Sequence, residues 1–369
     1  MSERAHVLED GVDSTPAPPS SRPSWLVGAV GFALGLGLGV LVVSPGPDTT
    51  DDTPVPTTVA AESPVTTIEE PVATPGVAAA VPGFPDAIVA VARTSSTSLD
   101  HVLWPLEGEP RIRSMAGGDD VVLDAGSVFI AMSDGVPGID GYLLSMGRFN
   151  SIQPVAAGVV SYAWHDSEGA RLAYTQLDGE TSRLLTVRAD LDPTPVVQLP
   201  TASAEVVGWG DWGWAIQQTP DEIVLLTPDG AFKDSEAGVA VATHESGWVF
   251  AVEGDEVKLV SAGGGVRRIQ APLDVGTVRG AVFSPDGSKI AVIGSTGVSL
   301  LVIETQEVMQ LMGFATPSVS WSSDSRFVLA AAPLGLSVID LAVEGAIVGY
   351  SVLDPYSAVA VGVVPLRSS

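Results

Sequence analysis

Ala281-Val-Phe-Ser-Pro-Asp-Gly-Ser-Lys-Ile-Ala-Val-Ile-Gly294, followed by Val298-Ser-Leu-Leu-Val-Ile303, has a near copy downstream. The copy runs Val319-Ser-Trp-Ser-Ser-Asp-Ser-Arg-Phe-Val-Leu-Ala330, then Leu336-Ser-Val-Ile-Asp-Leu341. In both, an aromatic residue ends one apolar run, a Ser/Pro/Asp/Gly cluster reverses the chain, and a second apolar run returns. A weaker copy is Tyr162-Ala-Trp-His-Asp-Ser-Glu-Gly-Ala-Arg-Leu-Ala-Tyr174. Short apolar runs bounded by such clusters read as strands joined by tight turns.

The returning run recurs through the whole body: Ile88, Phe129, Leu172, Trp214, Val249, Ile290 and Val328 each open one, at steps of 41, 43, 42, 35, 41 and 38 residues. Asp-Gly pairs at Asp134, Asp140, Asp178, Asp229 and Asp286 supply turn chemistry, since aspartate bonds nearby backbone and glycine accepts positive φ. No segment after residue 85 sustains a helical period. An all-β pattern repeating near 40 residues predicts four-stranded propeller blades. The 284 residues of 86–369 hold seven such units, with six or eight as alternatives. The aromatic at each strand end is expected to wedge between neighbouring blades, where its area is buried. The motif resembles TolB-type and WD40-type repeats, closely at 282–293 and 320–331 and less so at 163–174. The Gly-His and Trp-Asp pairs of WD40 repeats are missing, which favours the TolB-like pattern. The resemblance implies a disc of blades that holds a ligand or partner at one face or in its channel, and it implies no particular reaction.

A ring of blades must join its ends or leave two open edges. The final run, Ala358-Val-Ala-Val-Gly-Val-Val-Pro-Leu366, is too short for a further blade. It is expected to pair with the strand near Ala87–Ala92.

Upstream, Trp25–Val43 holds nineteen residues without a charge or a proline. As a helix it would span the hydrocarbon core of a bilayer. The chain thus divides into a tail (1–24), a transmembrane helix (25–43), a linker (44–85) and the propeller (86–369). Arg4 and Arg22 precede the apolar run, and the next basic residue is Arg93, so the N-terminus is expected in the cytoplasm and the body outside the membrane. A cleaved signal peptide is the competing reading, but the run is long for one and prolines follow it where a cleavage site would stand. Gly31, Gly35 and Gly39 share one helical face and would allow two such helices to pair as a homodimer, although Gly28 and Gly37 lie off that face. The linker is rich in Pro and Thr and carries no basic residue, so it reads as extended chain reaching at most roughly 130 Å at 3.1 Å per residue.

Lys and Arg number 17 against 44 Asp and Glu, a net charge of −27. That field disfavours nucleic acid as a partner. With no cysteine, disulfides, iron–sulfur clusters and thiol catalysis are excluded. Nucleophile elbows, phosphate loops and zinc-protease helices are also missing from the sequence.

Few residues offer chemistry. His165-Asp166 sits just inside a repeat turn, where a polar pair is expected to be exposed. Gly208-Trp-Gly-Asp-Trp-Gly-Trp-Ala215 holds three tryptophans in six residues. Trp209 is expected to pack like Phe283 and Trp321, and Trp214 to face the core. Trp212, with Asp211 beside it, falls in the turn and is the candidate platform for a sugar or peptide, against a packing role. No cofactor is required; Asp119, Asp120, Asp134 and Asp140 crowd one unit and offer either a calcium site or solvated turns. Gly263–Gly265 reads as a loop tip. The functional expectation is a membrane-anchored extracytoplasmic propeller that binds an envelope protein or glycan without catalysis. The alternative is a hydrolase or lactonase-like propeller with a metal in its channel, which would need several ligands converging from different blades.

Overall fold

The structure, a computed structural model, describes residues 83–369 apart from 96–97, 105–110, 117–119, 125–126, 135–140, 149–150, 167–169, 189–191, 271, 333–334, 344–345, 353–356 and 365–369. The expected anchor over 25–43, with Gly31, Gly35 and Gly39, lies outside the described residues, as does the linker up to residue 82. Among the described residues no helix is long and apolar enough to cross a membrane.

Among the described residues every regular element is a strand, apart from one short 3-10 turn at Leu341–Val343. In chain order come β1 (Ala87–Ser95), β2 (Ser98–Trp104) and β3 (Arg111–Ala116), then β4 (Asp120–Leu123), β5 (Phe129–Asp134) and β6 (Tyr142–Arg148). The long β7 (Ser151–Trp164) precedes β8 (Arg171–Asp178), β9 (Thr181–Arg188) and β10 (Thr194–Leu199). Next are β11 (Glu205–Gly210), β12 (Gly213–Thr219), β13 (Glu222–Leu226) and β14 (Phe232–Ala237), followed by β15 (Val239–Thr243), β16 (Trp248–Glu253), β17 (Glu256–Ser261) and β18 (Val266–Ile269). The chain ends with β19 (Val278–Phe283), β20 (Lys289–Gly294), β21 (Val298–Val302), β22 (Val308–Met312), β23 (Val319–Trp321), β24 (Phe327–Ala332), β25 (Gly335–Asp340), β26 (Ala346–Val352) and β27 (Ser357–Val364).

Four sheets are antiparallel meanders of four consecutive strands: β11–β14, β15–β18, β19–β22 and β23–β26. A seven-stranded sheet runs from β4 to β10, because the 14-residue β7 pairs with β6 through its first part and with β8 through its last. The remaining sheet has the order β27-β1-β2-β3, so the last strand of the chain supplies the first strand of the first sheet. Its register runs from Ala87 opposite Val364 to Arg93 opposite Ser357, which is the closure expected at Ala87–Ala92. Consecutive sheets with a closing strand make a β-propeller. Every recurring apolar run of the sequence is the second strand of a unit: β1, β5, β8, β12, β16, β20 and β24.

Both faces of these second strands are buried, which explains why they read as unbroken apolar runs. On β24, Phe327, Leu329 and Ala331 pack with Phe84, Ile88 and Val363, while Val328 and Ala330 face the other way onto Ala291, Leu300 and Trp321. A strand alternates its side chains every residue, so one run fills two inter-sheet cores. The aromatics wedge between sheets as expected. Indole N–H groups donate to the preceding unit's first strand from Trp164 to Val122 O (3.1 Å), from Trp209 to Ala163 O (3.1 Å) and from Trp321 to Val282 O (3.0 Å).

The turns after β19 and β23 share one chemistry. Ser284 Oγ donates to Asp286 Oδ1 (2.6 Å) and accepts from Lys289 N–H (2.9 Å); Ser322 Oγ does the same with Asp324 (2.5 Å) and Phe327 (2.9 Å). The fourth turn position needs positive φ, supplied by Gly287 (+68°) and, in the copy, by Ser325 (+59°). These turns lie together on one side of the disc and are stitched to one another. Asp86, 1% exposed, accepts from Ser323 N–H and Oγ–H, both at 2.6 Å, and Asp286 N–H donates to Ser325 Oγ at 3.1 Å.

Candidate functional site

Three successive first-strand turns carry the polar residues singled out in the sequence. His165 and Asp166 follow β7, Asp211 and Trp212 form the two-residue link between β11 and β12, and Thr243 ends β15. The turn at 211–212 is tight because Gly210 pairs directly with Gly213, whose φ of +122° is disfavoured for other residues.

Three of these five residues, Asp166, Trp212 and Thr243, meet directly. Asp166 N–H donates to Trp209 O at 3.0 Å, fixing the end of β7 on β11. The Asp166 carboxylate then accepts Trp212 Nε1–H at Oδ2 (3.1 Å) and Thr243 Oγ1–H at Oδ1 (2.8 Å). Asp211, its side chain 93% exposed, lies at the rim with Oδ1 3.8 Å from His165 Nε2. Burial pushes the Asp166 carboxyl up to about 6; the two hydrogen bonds oppose that rise and the nearby Glu245 carboxylate adds to it.

The expected exposure of the His165-Asp166 pair is not what the fold produces. His165 is 2% exposed, its ring edge-on to Trp209 at 4.6 Å, because β11 closes over the end of β7. Trp209 and Trp214 are buried as expected and stack on each other at 4.5 Å and 3°. Trp212 is half-buried rather than a free platform: its ring rests against Gly210 and Gly247, and its N–H is committed to Asp166.

Thr243 and Glu245 were not evident in the sequence. Their signal is the repeat itself, since Thr243-His244 stands in its unit where Trp164-His165 stands in its own. Of the acids considered for calcium, Asp119 and Asp140 lie outside the described residues, while Asp120 and Asp134 sit in β4 and β5. Asp120 Oδ2 accepts Tyr162 Oη–H at 3.2 Å. Among the described residues no group of three or more His, Asp or Glu is arranged to hold a metal ion. Gly263–Gly265 is the tip between β17 and β18, as expected.

No protein family matches the chain by sequence, and no curated protein does. Solved structures do resemble it. A functionally unknown protein from Desulfotomaculum acetoxidans DSM 771 is 11% identical over 75% of this chain and 98% of its own, with a TM-score of 0.51. Apo AztD from Citrobacter koseri is 11% identical over 76% of this chain and 98% of its own, at 0.50. TolB from Acinetobacter baumannii is 13% identical over 74% and 82%, at 0.41. The likeness to the first two is one of fold. At these identities the fold carries no ligand or activity with it, so function must be argued from the site.

Proposed function

We propose that this chain is a membrane-anchored extracytoplasmic propeller of seven blades that binds an envelope protein or glycan, without catalysis. Counting the seven-stranded sheet as two blades joined through β7 supports the blade number. The apolar run at 25–43, the arginines before it and the acidic linker after it support the anchor and the outward orientation. Gly31, Gly35 and Gly39 would pair two such anchors.

One observation carries the binding role: Asp166 gathers Trp212 and Thr243 from two further units into one composite surface, rimmed by Asp211 and Glu245. Such a surface exists only when the disc is assembled, and it offers an indole and carboxylates to a partner. The test uses tagged full-length protein, solubilised from membranes in mild detergent, with wild type and Trp212→Ala compared by affinity capture and glycan-array binding. Binding is expected to survive in the wild type and to fall in the variant. Equal capture by both proteins would remove this face from the reading. Cleavage of the body only after cell lysis, when protease is added to intact cells, would overturn the orientation.

A further inference from the structure

Lys258 differs from its counterparts in the other sheets. In β17 it lies directly opposite Ala251, the third residue of a return run, on the side of the sheet that faces the preceding unit. Four other sheets hold neutral residues at that position: Leu185 opposite Tyr174, Val224 opposite Ile216, Ser299 opposite Val292 and Ser337 opposite Ala330. All four are buried, and so is Lys258, at 3% exposure. An ammonium so withdrawn from water is strongly disfavoured unless carboxylates compensate it.

Two carboxylates do so. Glu253 Oε2, from the neighbouring strand β16, accepts from Lys258 Nζ at 2.9 Å. Glu236 Oε2, from β14 of the preceding unit, lies 3.9 Å from the same nitrogen and carries the ion pair across the seam between β14 and β17. Arg268 stands directly opposite Lys258 in β18, so it emerges on the same side, and its Nε lies 3.3 Å from Glu256 Oε2. Asp234 projects from the same side of β14 as Glu236, and Asp221 and Asp255 are exposed in the adjoining turns. The apolar part of this seam includes three alanines, Ala215, Ala240 and Ala251. Small side chains bury little area, so the ion pairs carry more of the contact. On acidification the carboxylates take up protons while the ammonium and the guanidinium keep theirs. Lys258 is then left buried and uncompensated.

We propose that the Lys258–Glu236–Glu253 cluster is an acid-sensitive latch, which holds the seam between β14 and β17 closed near neutral pH and lets it open locally in acid. The Asp166 surface takes Trp212 from one side of this seam and Thr243 from the other, so opening would also part that surface. The latch stands whether or not that surface binds anything.

The experiment is hydrogen exchange of the full-length protein in detergent, read by mass spectrometry at pH 7 and pH 4 and corrected for the intrinsic effect of pH on exchange. In the wild type, exchange over 232–237 and 256–261 is expected to quicken about tenfold or more in acid, while β20 and β24 change little. Glu236→Gln removes the charge that crosses the seam, so these two strands should exchange faster already at pH 7. Lys258→Met has no buried ammonium to leave uncompensated and should lose the response to acid. Glu236 is partly exposed on an edge strand, so its variant tests the latch even where Lys258→Met fails to fold. Unchanged protection in acid, or a loss spread evenly over all sheets, would overturn the proposal. So would Glu236→Gln exchanging like the wild type at pH 7, or Lys258→Met responding to acid as the wild type does.

Discussion

Trp212 Nε1–H donates to Asp166 Oδ2 at 3.1 Å, although the two residues stand 46 positions apart. The bond turns a tryptophan at a loop tip into a strut between neighbouring turns. It also gives a carboxylate that is partly withdrawn from water two strong donors, the second being Thr243.

Asp166 should make stability depend on pH in the acid range. Its folded carboxyl titrates at about 6, well above the unfolded value of about 3.8. The folded state therefore holds more protons between those values, and stability falls as pH rises through that window. The loss by pH 7 is expected to be roughly 1–2 kcal/mol, since the carboxyl keeps partial contact with water. Asp166→Asn can still accept from Trp212 and donate to Thr243, so it should flatten the profile and melt higher at pH 7. Parallel urea-denaturation profiles for the two proteins from pH 4 to 8 would refute this.

The wedge tryptophans should stabilise through their N–H groups as well as their area. Trp321→Phe keeps most of the ring but leaves Val282 O without its indole donor. A loss of about 1–2 kcal/mol is expected. Trp209→Ala, which also empties a stacked pair with Trp214, should cost about 3–5 kcal/mol in the same chemical melts.

Closure by β27 should be indispensable. Val361 and Val363 fill the core that holds Ile88, Ala90 and Phe327, and β27 pairs along the whole inner edge of β1. Deleting Ser357–Ser369 exposes that edge and opens the ring, so cooperative unfolding should be lost and proteolysis should become fast. A truncated protein with the parental melting curve would contradict the ring.

Asp86 ties the entry of the body to the last repeat. Asp86→Ala leaves the two Ser323 donors without an acceptor and is expected to cost about 1–3 kcal/mol, read by thermal melting.

Gly213 should tolerate no side chain. A Cβ there would lie 2.0 Å from Leu226 O, and its φ is +122°. Gly213→Ala should therefore destabilise by more than about 2 kcal/mol and disturb Trp212, visible as a shift in tryptophan emission.

The repeat made the fold readable. The aromatic at each strand end, the Ser-x-Asp turn and the doubly buried return strand are local requirements, and each leaves its residue type at a fixed place. Even the closing strand followed from the shortness of the last run. His165, Asp166, Asp211 and Trp212 were recognisable one by one from residue type and turn position. Their meeting was not, and neither was the burial of His165, because both depend on how β11 lies against β7. The facing of Arg171 and Arg188 is equally hidden in the sequence, since 17 residues separate them until β8 and β9 pair.

By itself the sequence determined the period, the strand and turn chemistry, and the return of β27 to β1. Those properties come from interactions within a few residues or from counting units of a repeat. Tertiary structure alone decided which side chains meet on the rim and which charges face one another. Neighbouring sheets bring together residues some 40 positions apart, and no local pattern records the register at which they pack.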